Sequence, residues 1–129
     1  MTAVLSKILY VEDDTDIQSV GKIALEMVGG FTLRNCSSGK EALDPQSIAF
    51  APDLFLLDVM MPEMDGPTTL AKLREFPELT NTPVIFMTAK VQTSEVAYYN
   101  SLGAIGVIAK PFDPMQLATQ IRQLWNERK

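Results

Sequence analysis

The sequence predicts an α/β fold, a five-stranded parallel sheet with helices on both faces. Three observations carry this. Five short apolar runs recur along the 129 residues. Segments with helical spacing alternate with them. The runs lack polar–apolar alternation, as strands buried above and below require.

"KILYV" (7–11) is the first strand, ended by "EDD". "DIQSVGKIALEMVGG" follows, with Ile17, Val20, Ala24, Met27 and Val28 at helical spacing and a Gly pair closing it. "FTLRNC" (31–36) is the second strand. "SGKEAL" opens a helix that Asp44-Pro45 must interrupt, because proline removes a backbone donor. "DLFLLD" (53–58) is the third strand, and "GPTTLAKLREF" (66–76) is a helix with Leu70, Leu73 and Phe76 on one face. "PVIFMT" (83–88) is the fourth strand, and "SEVAYYNSLG" (94–103) a helix ended by Gly103. "GVIAK" (106–110) is the fifth strand. "DPMQLATQIRQLWNERK" (113–129) is the last helix, with Asp113 as N-cap and Pro114 in its first position. The chain length is that of one domain, with a core at about residues 7–126 and no room for a further effector domain.

Composition narrows the function. Hydrophobic residues make up 47 % and charged residues 21 %, which fits a packed core and excludes a disordered chain. No apolar run approaches the ~20 residues of a bilayer span. "MTAVLSKILYVEDD" has no basic leading segment and no small-residue cleavage site, so a signal peptide is not expected. Cys36 is the only cysteine, which excludes an internal disulfide and fits a reducing, cytoplasmic setting. A formal charge of −5 without a basic run argues against direct binding to nucleic acid.

The polar residues have a pattern of their own. Glu12 and Asp13 follow the first strand, Asp58 ends the third, Thr88 ends the fourth and Lys110 ends the fifth. In a parallel sheet these positions share one edge, the carboxyl edge where ligands bind. Three converging carboxylates repel one another and favour a cation between them. Oxygen ligands without histidine or paired thiolates suit Mg²⁺. A carboxylate nucleophile, a lysine, a hydroxyl and a hard cation together suit phosphoryl transfer. Taken singly, each residue has a plainer role: Glu12, Asp13 and Asp14 as acids at a helix start, Asp65 as a turn former before Gly66. Met60, Met61 and Met64 make no metal box, because thioethers are too soft for a carboxylate site. Tyr98, Tyr99 and Trp125 fit a partner surface or helix packing equally.

Four of these segments resemble the receiver domain of response regulators in two-component signalling. They are "ILYVEDD", "LLDVMMPEMDG", "FMTA" and "KPF", in the family's order and each at a strand end. The resemblance covers the chain from about Lys7 to the final helix. It implies a flavodoxin-like, doubly wound (βα)5 fold with strand order 2-1-3-4-5. It implies a switch rather than an enzyme, acting only in its own phosphoryl transfer and dephosphorylation. Asp58 would accept the phosphoryl group from a histidine kinase or a phosphotransfer protein. Asp13 would bind Mg²⁺ directly, Glu12 through water, and Met60 through its backbone carbonyl. Thr88 would bond a phosphoryl oxygen, and Ala89 would leave space beside it. Lys110 would pair with the phosphoryl group and, at rest, with Asp58, aimed by a cis bond to Pro111. Pro62 and Gly66 would shape the loop after the third strand.

The chain departs from that pattern at two places. Three residues before the lysine the family usually carries an aromatic switch residue, and here Val107 stands there. The usual threonine–aromatic coupling therefore does not carry over. The alternatives are a route through the helix after the fourth strand and its loop, or a weak output. Pro45 falls where the second helix usually runs unbroken, so irregularity is expected there. Two other classes remain. A pseudo-receiver that only binds partners would not need all five polar residues. A sheet enzyme is the second: an aspartate phosphatase would carry Asp-x-Asp after the first strand, and a flavin carrier a phosphate loop that "VEDDTD" would repel.

Overall fold

The computed structural model describes residues 4–128. Strands β1 (Lys7–Val11), β2 (Thr32–Cys36), β3 (Leu54–Asp58), β4 (Val84–Thr88) and β5 (Ala104–Ala109) form one parallel sheet. Their order is β2-β1-β3-β4-β5, as expected. The chain first steps from β1 to β2, then crosses to β3 on the other side. The switch point therefore lies between β1 and β3, and their carboxyl ends form a crevice there.

The helices are α1 (Thr15–Ile23), α2 (Gly39–Ala42), α3 (Pro45–Phe50), α4 (Gly66–Leu73), α5 (Thr93–Ser101) and α6 (Leu117–Glu127), with a π-helical turn at Ala24–Val28 and a 3₁₀ turn at Pro77–Leu79. Side chains two apart on a strand share a face, so the sheet has two cores. Ile8, Tyr10, Leu54, Leu56, Ile85, Met87 and Ile108 pack against residues from the π-helical turn after α1 and from α6, including Leu25, Ile121 and Trp125. Leu9, Val11, Phe55, Leu57, Val84 and Phe86 pack on the other face against Ala42, Leu70, Leu73 and Tyr99. Every residue of β3 and β4 is buried, which is why these strands read as unbroken apolar runs. Among the described residues no helix is long and apolar enough to cross a membrane.

Asp44-Pro45 splits the second helical segment into α2 and α3, as expected; the Asp44 carboxylate accepts the Gln46 N–H at 2.9 Å and caps the restart. Elsewhere the helices differ from the sequence pattern. Val20, Met27 and Val28 do not face the core; they are exposed, and the buried residues there are Gly21, Ala24 and Leu25. The reason is Tyr10, whose ring lies under α1 so closely that a Cβ at Gly21 would stand 2.3 Å from its hydroxyl oxygen. Small residues seat the helix, and the larger ones turn outward. The last helix begins at Leu117 rather than at 113. Asp113 caps an earlier turn: its carboxylate accepts the Met115 N–H at 2.9 Å, and its carbonyl accepts those of Gln116 and Leu117 at 3.0 Å. Strand β5 begins two residues early, at Ala104, through a register irregularity beside Val84 and Ile85.

The loop after β3 is pressed against the strand end. Asp65 caps α4 by accepting the Thr68 N–H at 2.8 Å, and the Gly66 N–H donates to the Val59 carbonyl at 2.9 Å. A Cβ at Gly66 would lie 2.5 Å from the Asp58 carbonyl oxygen, so no larger residue fits without moving that backbone. Gly66→Ala is expected to lower the unfolding free energy by about 1–3 kcal/mol in urea titrations, as overpacking does. Thr68→Ala, at an exposed neighbour, is expected to stay within about 0.5 kcal/mol.

Candidate functional site

Glu12 continues the β1 pattern one step past the strand. Its N–H donates to the Cys36 carbonyl at 3.0 Å, so the backbone there still pairs with β2. Its side chain follows Ile8 and Tyr10 onto the α1 face. Asp58 follows Leu54 and Leu56 onto the same face. Because β1 and β3 are neighbours, the two carboxylates meet, and they are 1 % and 3 % exposed respectively. Asp13 is half-buried at the rim. Oxygens of Glu12, Asp13 and Asp58 all lie within 4.8 Å of one another. Asp14 stands outside the group as the cap of α1, accepting the Asp16 and Ile17 N–H groups at 2.9 and 3.1 Å.

Lys110 arrives from the far side of the sheet. Its N–H donates to the Thr88 carbonyl at 2.9 Å, extending the β4–β5 pairing, and the Lys110–Pro111 bond is cis. The ammonium donates to Glu12 Oε1 at 2.8 Å and lies 3.2 Å from Asp58 Oδ1. The resting partner of Lys110 is thus shared, with Glu12 the nearer acid rather than Asp58.

One ammonium pairs with two buried carboxylates, with Asp13 beside them at the rim, and the balance shows at Asp58 and Lys110. Burial pushes the Asp58 carboxyl up to about 7, aided by the hydrogen bond and charge of Glu12, while Lys110 pulls the other way. Burial alone would make Lys110 a weaker base, but Glu12 and Asp58 outweigh it and hold its pKa above the ordinary value. Tyr10, under the two acids, is kept a neutral phenol by its burial and by both charges. The pocket is therefore short of positive charge. Its donors are hard carboxylate oxygens, and the chain contains no histidine. That donor set fits Mg²⁺.

The other predicted residues surround this centre. Thr88 is buried at the end of β4, and its Oγ1 accepts the Lys90 N–H at 3.1 Å. Ala89 and Pro111 are exposed. The Met60 side chain is turned to solvent, 69 % exposed, which leaves its backbone as the part able to serve the pocket. Val107 is half-buried, paired in register with Phe86. One organising residue escaped sequence reasoning. Gln18 Nε2 donates to the Glu12 and Cys36 carbonyls, both at 3.1 Å, and so ties α1 to the ends of β1 and β2. Nothing but its place one turn into the helix pointed to it. An apolar hollow of about 440 Å³, lined by Ile17, Val20, Ala89, Lys110, Pro111 and Phe112 among others, opens beside the pocket.

The raised Asp58 pKa links stability to pH. In the unfolded chain this carboxyl titrates near 3.8, and in the fold near 7. The fold therefore holds the extra proton, and the stability it confers is full below pH 4 and is lost as pH rises through 7. Asp58→Asn is expected to raise Tm at pH 8 by on the order of 5 °C, with the gain shrinking toward pH 4. Calorimetry across that range measures it.

The chain is similar to known proteins along most of its length. The family described as response regulator receiver domain matches residues 8–122. The chain is 37 % identical to the transcriptional regulatory protein CpxR of Escherichia coli K12 and 31 % identical to the response regulator SaeR of Staphylococcus aureus USA300. In each case 97 % of this chain aligns with 53 % of the relative, so it spans about half the length of these curated relatives. Among solved structures, the chemotaxis protein CheY4 of Vibrio cholerae superposes with a TM-score of 0.84 at 25 % identity, covering 94 % of this chain and 99 % of that one.

Proposed function

The chain belongs to the response regulator receiver family, and from that premise we propose that it accepts a phosphoryl group on Asp58 from a histidine kinase or a phosphotransfer protein. The observation that carries this is the buried Glu12–Asp58 pair with the Lys110 ammonium at 2.8 and 3.2 Å. Such a set is unfavourable on its own, because buried charge needs pairing, and it suits a site that receives further ligands.

The chemistry follows from the residues. An oxygen of the ionised Asp58 attacks phosphorus of the donor's phosphohistidine. The P–N bond breaks, its electron pair stays with the imidazole, and that ring takes a proton from water. A mixed anhydride remains on Asp58. Asp13 directly, Glu12 through water, Asp58 and the Met60 carbonyl would hold Mg²⁺, which when bound offsets charge on the phosphoryl oxygens. Lys110 then has a phosphoryl oxygen to pair with in addition to Glu12. The Thr88 hydroxyl donates to another oxygen, and Ala89 leaves that side open. Return to the resting state is attack of water on the same phosphorus, which restores the carboxylate and releases phosphate. The apolar hollow beside Lys110 and Pro111 gives the donor protein a surface to seat against while its imidazole reaches Asp58.

The phosphoryl group brings roughly one to two units of negative charge to a pocket already rich in it. That charge biases the Thr88 loop between two positions and so changes the surface offered to partners.

The test is intact mass after incubation with acetyl phosphate, with Mg²⁺ or with EDTA, on the wild type and on Asp58→Asn. One phosphate is expected on the wild type with Mg²⁺, and none in the other three arms. Failure of the wild type to label, where a known receiver labels in parallel, would overturn the proposal in favour of a module that acts by binding alone.

A further inference from the structure

Asp13 stands in the short connection between β1 and α1. The strands β1 and β2 pair as far as Val11 and Cys36, and α1 starts at Thr15. A connection of this kind is free to turn at the two peptide planes on either side of the residue it carries. Here both planes are held. The one after Asp13 is held through the Asp14 N–H, which donates to Glu12 Oε2 at 3.3 Å. That carboxylate is itself fixed, because its Oε1 accepts from the Lys110 ammonium at 2.8 Å.

The plane before Asp13 is held from α1. Gln18 Nε2 donates to the Glu12 carbonyl at 3.1 Å and to the Cys36 carbonyl at 3.1 Å, and lies 3.4 Å from the Ser37 hydroxyl. An amide nitrogen has two protons, and the two carbonyls are its nearest acceptors. The Cys36 carbonyl also accepts the Glu12 N–H at 3.0 Å, so β1, β2 and α1 are joined at one point. The backbone N–H of Gln18 donates to the Asp14 carbonyl at 2.8 Å, as any first-turn residue would. The side-chain bond to Glu12 is the part specific to glutamine. Mg²⁺ demands near-octahedral ligands, so a carboxylate already aimed binds it better than one that must first be ordered.

We propose that Gln18 is a positioning residue for the cation pocket: its side-chain amide fixes the peptide plane before Asp13 and so aims that carboxylate into the group it forms with Glu12 and Asp58. The cation affinity of the sheet edge is thereby set in part from α1. This rests on the reading of Glu12, Asp13 and Asp58 as the residues that hold Mg²⁺.

The test is Gln18→Met in the full chain. Methionine has a similar length and helix propensity but no N–H to give, and the backbone bond to Asp14 stays. Backbone amide shifts of the ¹⁵N-labelled protein, titrated with MgCl₂, give the Mg²⁺ Kd without any phosphoryl transfer. Gln18→Met is expected to raise that Kd about tenfold, as loss of a group that orients a metal ligand does. In labelling with acetyl phosphate, the Mg²⁺ concentration at half-maximal rate is expected to rise by a similar factor, with the rate at saturating Mg²⁺ within about twofold of the wild type. A purely structural tie would instead lower stability in urea and the maximal rate, and leave both Mg²⁺ midpoints in place. That result, or a variant indistinguishable from the wild type, would overturn the role of Gln18 and leave the phosphoacceptor reading standing. A wild-type chain whose Glu12, Asp13 and Asp58 amides do not respond to Mg²⁺ would overturn the pocket and this proposal together.

Discussion

Two carboxylates that cannot comfortably share their charge stand side by side at the edge of this sheet. Glu12 and Asp58 are buried, adjacent and on one face because β1 and β3 are neighbours in register. Most of the surrounding structure can be understood as arrangements that hold them there. Lys110 supplies the partial offset, placed by the β4–β5 pairing that continues to its own N–H. Gly66 lets the next loop lie flat against Asp58, and Gln18 ties the end of β1 to that of β2. A flexible surface pair would relax by moving apart or by taking up water. This pair sits on rigid strands and cannot, so its strain is retained for an incoming cation or phosphoryl group to relieve.

The fold was legible because both faces of the sheet are covered. Strands buried on both sides leave apolar runs that need no partner to be recognised, and the Asp44-Pro45 break is a local backbone effect. Helix faces were less legible. Spacing alone pointed Val20, Met27 and Val28 inward, but the approach of α1 is set by Tyr10, a strand residue whose place under the helix is fixed by tertiary packing and not by the helical repeat. The start of α6 was misplaced for a similar reason: Asp113 does cap, but it caps a separate turn before Leu117.

The site divides in the same way. Residue types at strand ends were visible in the sequence, since carboxyl edges are defined by topology. The preference of Lys110 for Glu12 was not, because it joins residues nearly a hundred positions apart and turns on sub-ångström differences. Nor was the separation of two consecutive tyrosines: Tyr99 is packed on Phe86 and Tyr98 faces outward. Trp125 falls on the packing side of the same question, buried in the core beneath α6.

The contact between Tyr10 and Gly21 has a consequence for how such a sequence can vary. The ring occupies the volume that any side chain at position 21 would need, and the same ring backs the two acids. A change at position 21 is therefore felt at position 10. A methyl group at 21 must displace the ring at 10 or the helix above it, and so disturb the floor of the acidic pocket. Drift in the surface helix is thereby tethered to the chemistry at the sheet edge, although no atom of Gly21 takes part in it.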